Sequence, residues 1–190
     1  MASTWAEAEF ETIFREHFAR MVRMIRRVLR CDAEAEEICA EAFLKLYRMG
    51  PGVIAEGTAG AWLYRVATRS AIDRLRSHNR RGFEEQLDAS HTDVADGLES
   101  DPLGRLVRQE RIAEVRFALA RLKVEKAQVL LLRHSGLSYQ EIAAAMRIKP
   151  ASVGTMLARA EAEFSMLYQR QQRLSKRAPR LQVADHPKEG

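Results

Sequence analysis

Residues 61–81, AWLYRVATRSAIDRLRSHNRR, carry Arg65, Arg69, Arg74, Arg76, Arg80 and Arg81 against a single acid, Asp73. At about 100° per residue, Trp62, Arg65, Arg69, Arg76 and Arg80 fall within roughly 60° of one another on a helix. Leu63, Val66, Ala67, Ser70 and Ala71 fall on the opposite side, where a core belongs. Arginines in a row hold phosphates, and an aromatic ring at their head offers a base something to stack on. A merely solvated face would carry mixed signs, so the stretch reads as a nucleic-acid surface. Its chemistry is binding, without a covalent step.

A second cluster lies at residues 138–159. Ser138-Tyr139-Gln140-Glu141 has the form of a capping box, in which a serine hydroxyl and a glutamate satisfy two free N–H groups at a helix start. A short helix to Met146, a turn Arg147-Ile148-Lys149, and a longer helix opened by Pro150 describe a helix-turn-helix. Ala143 and Ala144 let the two helices cross closely, and Ile142, Ile148, Val153 and Leu157 supply buried contacts. Lys149, Ala151, Ser152, Thr155, Met156 and Arg159 face outward as the base-reading set. Charge is sparse there, because Arg147, Lys149 and Arg159 are balanced by Glu141, Glu161 and Glu163. This element alone should bind DNA weakly.

The elements that position these residues are all helical. Apolar residues recur at helical spacing from Phe10 through Ile13, Phe14, Phe18, Met21, Val22 and Ile25 to Leu29. Asp32 is placed to cap a second helix, which carries Ile38, Ala42, Phe43, Leu46 and Tyr47 and stops at Met49-Gly50-Pro51-Gly52. Thr58 then caps the arginine-bearing helix. Residues 82–104 hold Glu84, Glu85, Asp88, Asp93, Asp96, Glu99 and Asp101 with no Lys or Arg, the composition of a flexible acidic linker. Helical patterning resumes at Arg105 and again over residues 126–134. The basic segment 170–190 reads as a disordered tail.

The expected fold is therefore all-α, with two small helical domains, 7–81 and 105–169, joined by the acidic linker. Across 190 residues, 46% hydrophobic content suffices for packed cores, and the net charge of +5 matters less than its uneven distribution. Cys31 and Cys39 read as free thiols, which suits a reducing cytoplasm. No apolar run approaches the roughly 18 residues of a membrane span. His17, His78, His91, His134 and His186 are scattered, and no Gly-rich phosphate loop, paired carboxylates or metal-ligand spacing accompanies them. An enzyme is not expected, and neither catalytic residues nor a cofactor or metal are assigned.

The layout resembles the extracytoplasmic-function (ECF) group of the sigma-70 family of bacterial RNA polymerase sigma factors. Three blocks carry the resemblance: AEEICAEAFLKLYR (35–48), the arginine-rich 61–81, and LLLRHSGLSYQEIAAAMRIKPASVGTMLARAEAEF (130–164). It implies a first domain (sigma region 2) that grips the beta-prime clamp helices of core RNA polymerase and opens the minus-ten promoter element. A second (region 4) reads the minus-thirty-five element and contacts the beta flap. By residue match, Glu37, Glu41, Phe43, Leu44 and Tyr47 fall in the polymerase-docking helix. Trp62, Arg65, Arg69, Arg76 and Arg80 fall in the minus-ten segment, and Lys149, Ala151, Ser152, Thr155, Met156 and Arg159 in the minus-thirty-five reader. The linker would thread polymerase's basic channels. Promoter DNA and core polymerase are the implied partners, and an anti-sigma factor is a further one that the family admits. This sequence departs from the family where Ala40 replaces a frequent Gln and Arg69 a frequent Asn, and where Gly154, Met156 and Glu161 replace Lys or Arg. The competing reading is a stand-alone helix-turn-helix regulator, which would bind duplex DNA stably by itself.

Overall fold

The computed structural model describes residue 5 and residues 7–51, 58–81 and 102–177. Every regular element among them is an α-helix: α1 (Glu7–Leu29), α2 (Asp32–Met49), α3 (Ala59–Arg81), α4 (Pro102–Arg121), α5 (Val124–His134), α6 (Tyr139–Met146) and α7 (Pro150–Arg177). The acidic stretch 82–101 lies outside the described residues, as do 178–190.

Helices α1 and α2 form a hairpin because their apolar stripes face each other. Met21, Ile25 and Leu29 of α1 and Ala35, Cys39 and Leu46 of α2 are fully buried. Each large side chain so buried contributes about 1.5–3 kcal/mol. The turn between them uses Arg30 at φ 61, a left-handed residue that ends α1. Helix α3 lies across the hairpin and buries Leu63, Tyr64, Ala67, Ala71, Ile72 and Leu75. The second group packs Leu122, Val129 and Leu132 against Leu137, Ile142, Val153 and Leu157. An ion pair between Lys126 and Glu163 ties α5 to α7.

The two groups also meet. Helix α3 packs against α4, α5 and α6 as well as α1 and α2, and one continuous buried cluster runs through both groups.

Several boundaries differ from expectation. Cys31, not Asp32, is the N-cap of α2, in extended backbone and without a side-chain cap bond. Asp32 sits one residue inside, where its charge suits the positive helix end. Helix α4 begins at Pro102 rather than Arg105, since proline fits a first helical position. Helix α5 begins at Val124, two residues before the patterned run. Residues 170–177, read as the start of a disordered tail, continue α7 to Arg177.

Candidate nucleic-acid interface

The arginine helix is positioned at its start by an unusually close approach to α1. A Cβ at Gly60 would stand 2.5 Å from His17 Nε2 and 2.7 Å from its Cε1, so only glycine lets the imidazole lie over the first turn of α3. Trp62, two residues on, is half-buried and packs against the core. Below it the ring of Tyr64 meets the edge of His17 at 5.8 Å, and Arg20 lies over Tyr64 at 5.8 Å. Burial lowers the His17 pKa from its ordinary value, with Glu16 and Glu141 opposing and Arg20 reinforcing the shift. The neutral imidazole is thus the form that this packing favours.

Along α3 the five stripe residues share one side, but they are not equally available. Arg69 and Arg80 are exposed. Arg65 is half-buried, and burial followed by the like charge of Arg147 lowers its pKa. Arg76 is already engaged: its Nε donates to the Ala120 carbonyl at 3.1 Å and its Nη2 to the Leu122 carbonyl at 2.6 Å. Arg74, off the stripe, donates to Glu34 at 2.9 Å and Glu37 at 3.2 Å. The exposed part of the stripe is therefore narrower than the arginine count implies.

The helix-turn-helix is built as the residue pattern predicts. Ser138 Oγ accepts from the Glu141 N–H at 3.2 Å, and the Ser138 N–H donates to Glu141 Oε2 at 2.7 Å. These bonds hold the Glu141 carboxyl below its ordinary pKa. Arg147 ends α6 at φ 57, and Ile148 N–H returns to the Ala143 carbonyl at 3.0 Å. That turn aims α7 so that Val153, Leu157 and Ala160 are buried. Lys149, Ala151, Ser152, Thr155 and Arg159 are exposed on its outer side, with Met156 half-buried among them. Ala144 is exposed, whereas Ala143 and Ala145 are buried at the crossing.

On the opposite side of the first helical group, α1 and α2 present an apolar face. Leu44 and Tyr47 are 46% and 47% exposed, large fractions for such side chains. Phe14 joins them at 41%. Phe43, expected at the contact surface, is instead only 3% exposed. It sits under the face, ringed by Phe10, Phe14 and Phe18 at 6.1, 5.1 and 5.7 Å, and can support a partner contact only from beneath. Glu37 is engaged with Arg74, and Glu41 pairs with Lys45 at 3.6 Å. An open groove of about 430 Å³ between Trp5, Glu7, Phe10, Glu11, Phe14 and Tyr47 borders this face. Trp5 anchors its floor by donating its indole N–H to the Leu46 carbonyl at 3.1 Å. At helical spacing Phe14 reads as core, and no spacing signal marks Trp5, which precedes α1.

Family comparison follows the same division. Residues 13–81 match the model for Sigma-70 region 2, and residues 112–164 match that for Sigma-70, region 4. The RNA polymerase sigma-H factor of Pseudomonas aeruginosa is 27% identical over 158 residues, covering 80% of this chain and 81% of that protein. The ECF RNA polymerase sigma factor SigE of Mycolicibacterium smegmatis is 28% identical over 157 residues, 81% of this chain and 59% of its own. The chain belongs to the ECF group of the sigma-70 family. A third relative, the ECF RNA polymerase sigma factor SigK of Mycobacterium tuberculosis, is 28% identical over 138 residues, 72% of this chain and 73% of the relative.

As a sigma factor the protein acts in promoter-specific transcription initiation. Sigma region 2 falls on α1–α3, and region 4 on α4–α7. No helix among the described residues is long and apolar enough to cross a membrane.

Proposed function

We propose that this sigma factor docks on the beta-prime clamp helices of core RNA polymerase through Leu44 and Tyr47, with Glu37 and Glu41 at the rim and Phe43 as the underlying support. Phe14 extends that face. Region 2 then melts the minus-ten element. Opening a duplex costs about 1.4 kcal/mol per base-pair step, so several steps need a trap for the separated strand. Trp62 stacks on an unpaired base, while Arg65, Arg69, Arg76 and Arg80 hold the backbone. Region 4 reads the minus-thirty-five element through Lys149, Ala151, Ser152, Thr155, Met156 and Arg159, and contacts the beta flap.

Because residues 138–164 are electrically balanced, polymerase supplies most of the affinity. Residues 7–81 and 105–169 are the two working modules, and the acidic 82–104 stretch imitates a nucleic-acid strand in polymerase's basic channels. The factor works in the cytoplasm beside its polymerase and performs no catalysis of its own. An anti-sigma factor would compete for the apolar face.

One observation carries this reading: the arginine helix with a half-buried Trp62 at its head precedes a capped helix-turn-helix whose outer residues are solvent-facing. Run-off transcription with purified core polymerase and a promoter library tests it. Defined transcripts that depend on added factor are expected; their absence on every template overturns the reading.

A further inference from the structure

Helix α1 opens with two acids and two aromatics on one side. Glu7, Phe10, Glu11 and Phe14 stand at i, i+3, i+4 and i+7, within about 100° of one another around the helix. With Trp5 and Tyr47 they line the open groove of about 430 Å³ beside the docking face. That size falls in the roughly 300–1,000 Å³ range of ligand clefts. The walls are aromatic: Phe10 meets Tyr47 at 5.1 Å and 75°, and Trp5 at 6.2 Å and 56°. The Trp5 indole N–H is committed to the Leu46 carbonyl and offers the groove no donor. Besides the Tyr47 hydroxyl, the polar side-chain groups left are two carboxylates. Glu7 is exposed and has no hydrogen-bond or ion-pair partner among the described residues. Glu11 pairs with Arg15 one turn on, but those side chains are 58% and 77% exposed, so the pair contributes little and exchanges readily.

An apolar occupant suits this groove poorly, because it would strip water from two carboxylates and leave them unpaired. A flat cation suits it well. A guanidinium stacks on aromatic faces, is weakly hydrated, and presents a fork of N–H donors to a carboxylate. An ammonium holds its water more tightly and has no plane to stack. Tyr47 belongs both to the groove and to the docking face, so the occupant comes from the protein that covers Leu44 and Tyr47.

We propose that the groove is a subsite for an arginine side chain of the partner that docks on α2. The exposed rings of Phe14 and Tyr47 take the guanidinium plane, and Glu7 and Glu11 accept its N–H groups. The inference rests on the docking reading of Leu44 and Tyr47 given above. It adds Trp5, Glu7, Phe10 and Glu11, which all precede residue 13, where the match to Sigma-70 region 2 begins.

Two tryptophans give two indole N–H signals in NMR spectra of the full chain, and Trp62→Phe assigns them. Trp5 then reports from the groove itself. The peptide acetyl-Gly-Arg-Gly-amide at millimolar concentration should shift the Trp5 signal saturably. The same peptide carrying citrulline, neutral and of nearly equal shape, should not. Glu7→Gln combined with Glu11→Gln should weaken the arginine peptide about tenfold. Both acids are exposed, so the unfolding temperature should barely move. Phe14→Leu, which keeps an apolar side chain and loses the ring, should weaken the peptide about threefold. Core polymerase should bind the double variant about tenfold more weakly at low salt, with the difference shrinking at high salt. Equal response to the two peptides, no response to either, or polymerase affinity untouched in the double variant would overturn the inference. If polymerase binds neither wild type nor variant, the docking reading fails, and the peptide titration still decides whether the groove takes a guanidinium.

Discussion

Arg74 on α3 bridges to two acids of α2 at once, 2.9 Å from Glu34 Oε1 and 3.2 Å from Glu37 Oε2. His78, one turn further along α3, reaches the same Glu34 oxygen at 3.0 Å. This side chain therefore staples the arginine helix to its support and is not part of the exposed stripe. Arg74→Ala should cost about 1–2 kcal/mol and lower the melting temperature by roughly 2–8 °C. DNA binding by the polymerase complex should be unchanged below that temperature. A double-mutant cycle with Glu34→Gln measures the coupling.

The Gly60–His17 approach yields a second expectation. Gly60→Ala places a methyl group against the half-buried His17 imidazole and should destabilise by about 1–3 kcal/mol. His17→Ala in the same chain makes room, so the double variant should be more stable than the sum of the two losses by about 1 kcal/mol. Strict additivity in urea unfolding would refute the contact.

Cys39 is buried between α1 and α2, and burial, then the charge of Glu36, pushes its thiol pKa up to about 12. Only the thiolate attacks alkylating reagents. Iodoacetamide at pH 8 should label the half-exposed Cys31 in the native protein and Cys39 only after denaturation, as read by peptide mass mapping. Equal labelling rates would contradict the packing.

Ser138→Ala removes one half of the capping box on α6 and should cost about 1 kcal/mol in thermal unfolding. Its partner makes the effect pH-dependent. The bonds from Ser138 lower the folded-state pKa of Glu141, so their stabilisation is complete above the unfolded carboxylate pKa. It is lost as pH falls through the lower folded value. Glu141→Gln should flatten this acid limb of the stability profile while leaving the neutral-pH fold intact.

Trp62→Ala should leave polymerase binding intact and weaken open-complex formation. Permanganate footprinting of a cognate promoter reports unstacked thymines directly. Undiminished reactivity in the variant would remove Trp62 from the melting step.

Local patterns were readable in advance, and long-range ones were not. The stripe of α3 and the Ser138–Glu141 cap depend on residues a few positions apart, and both helices form as their periodicity predicts. Phe43 and Leu44 show the limit. They are neighbours about 100° apart on one helix, and only the position of α1 decides that the first is buried and the second exposed. Arg76 makes the same point across modules, because no spacing rule links it to carbonyls 44 and 46 residues away. Helix α7 outran its expected end because its last turns, through Gln169, Arg170, Gln171 and Gln172, are good helix formers without a long apolar stripe.

The electrical balance of the reading segment 138–164 bears on how it finds its site. Non-specific attraction to a chromosome scales with the phosphates neutralised, and here Glu141, Glu161 and Glu163 offset Arg147, Lys149 and Arg159. That segment adds little general attraction to bulk DNA. Its hold on a promoter must then come from shape and base contacts, and from whatever brings it there, more than from charge of its own.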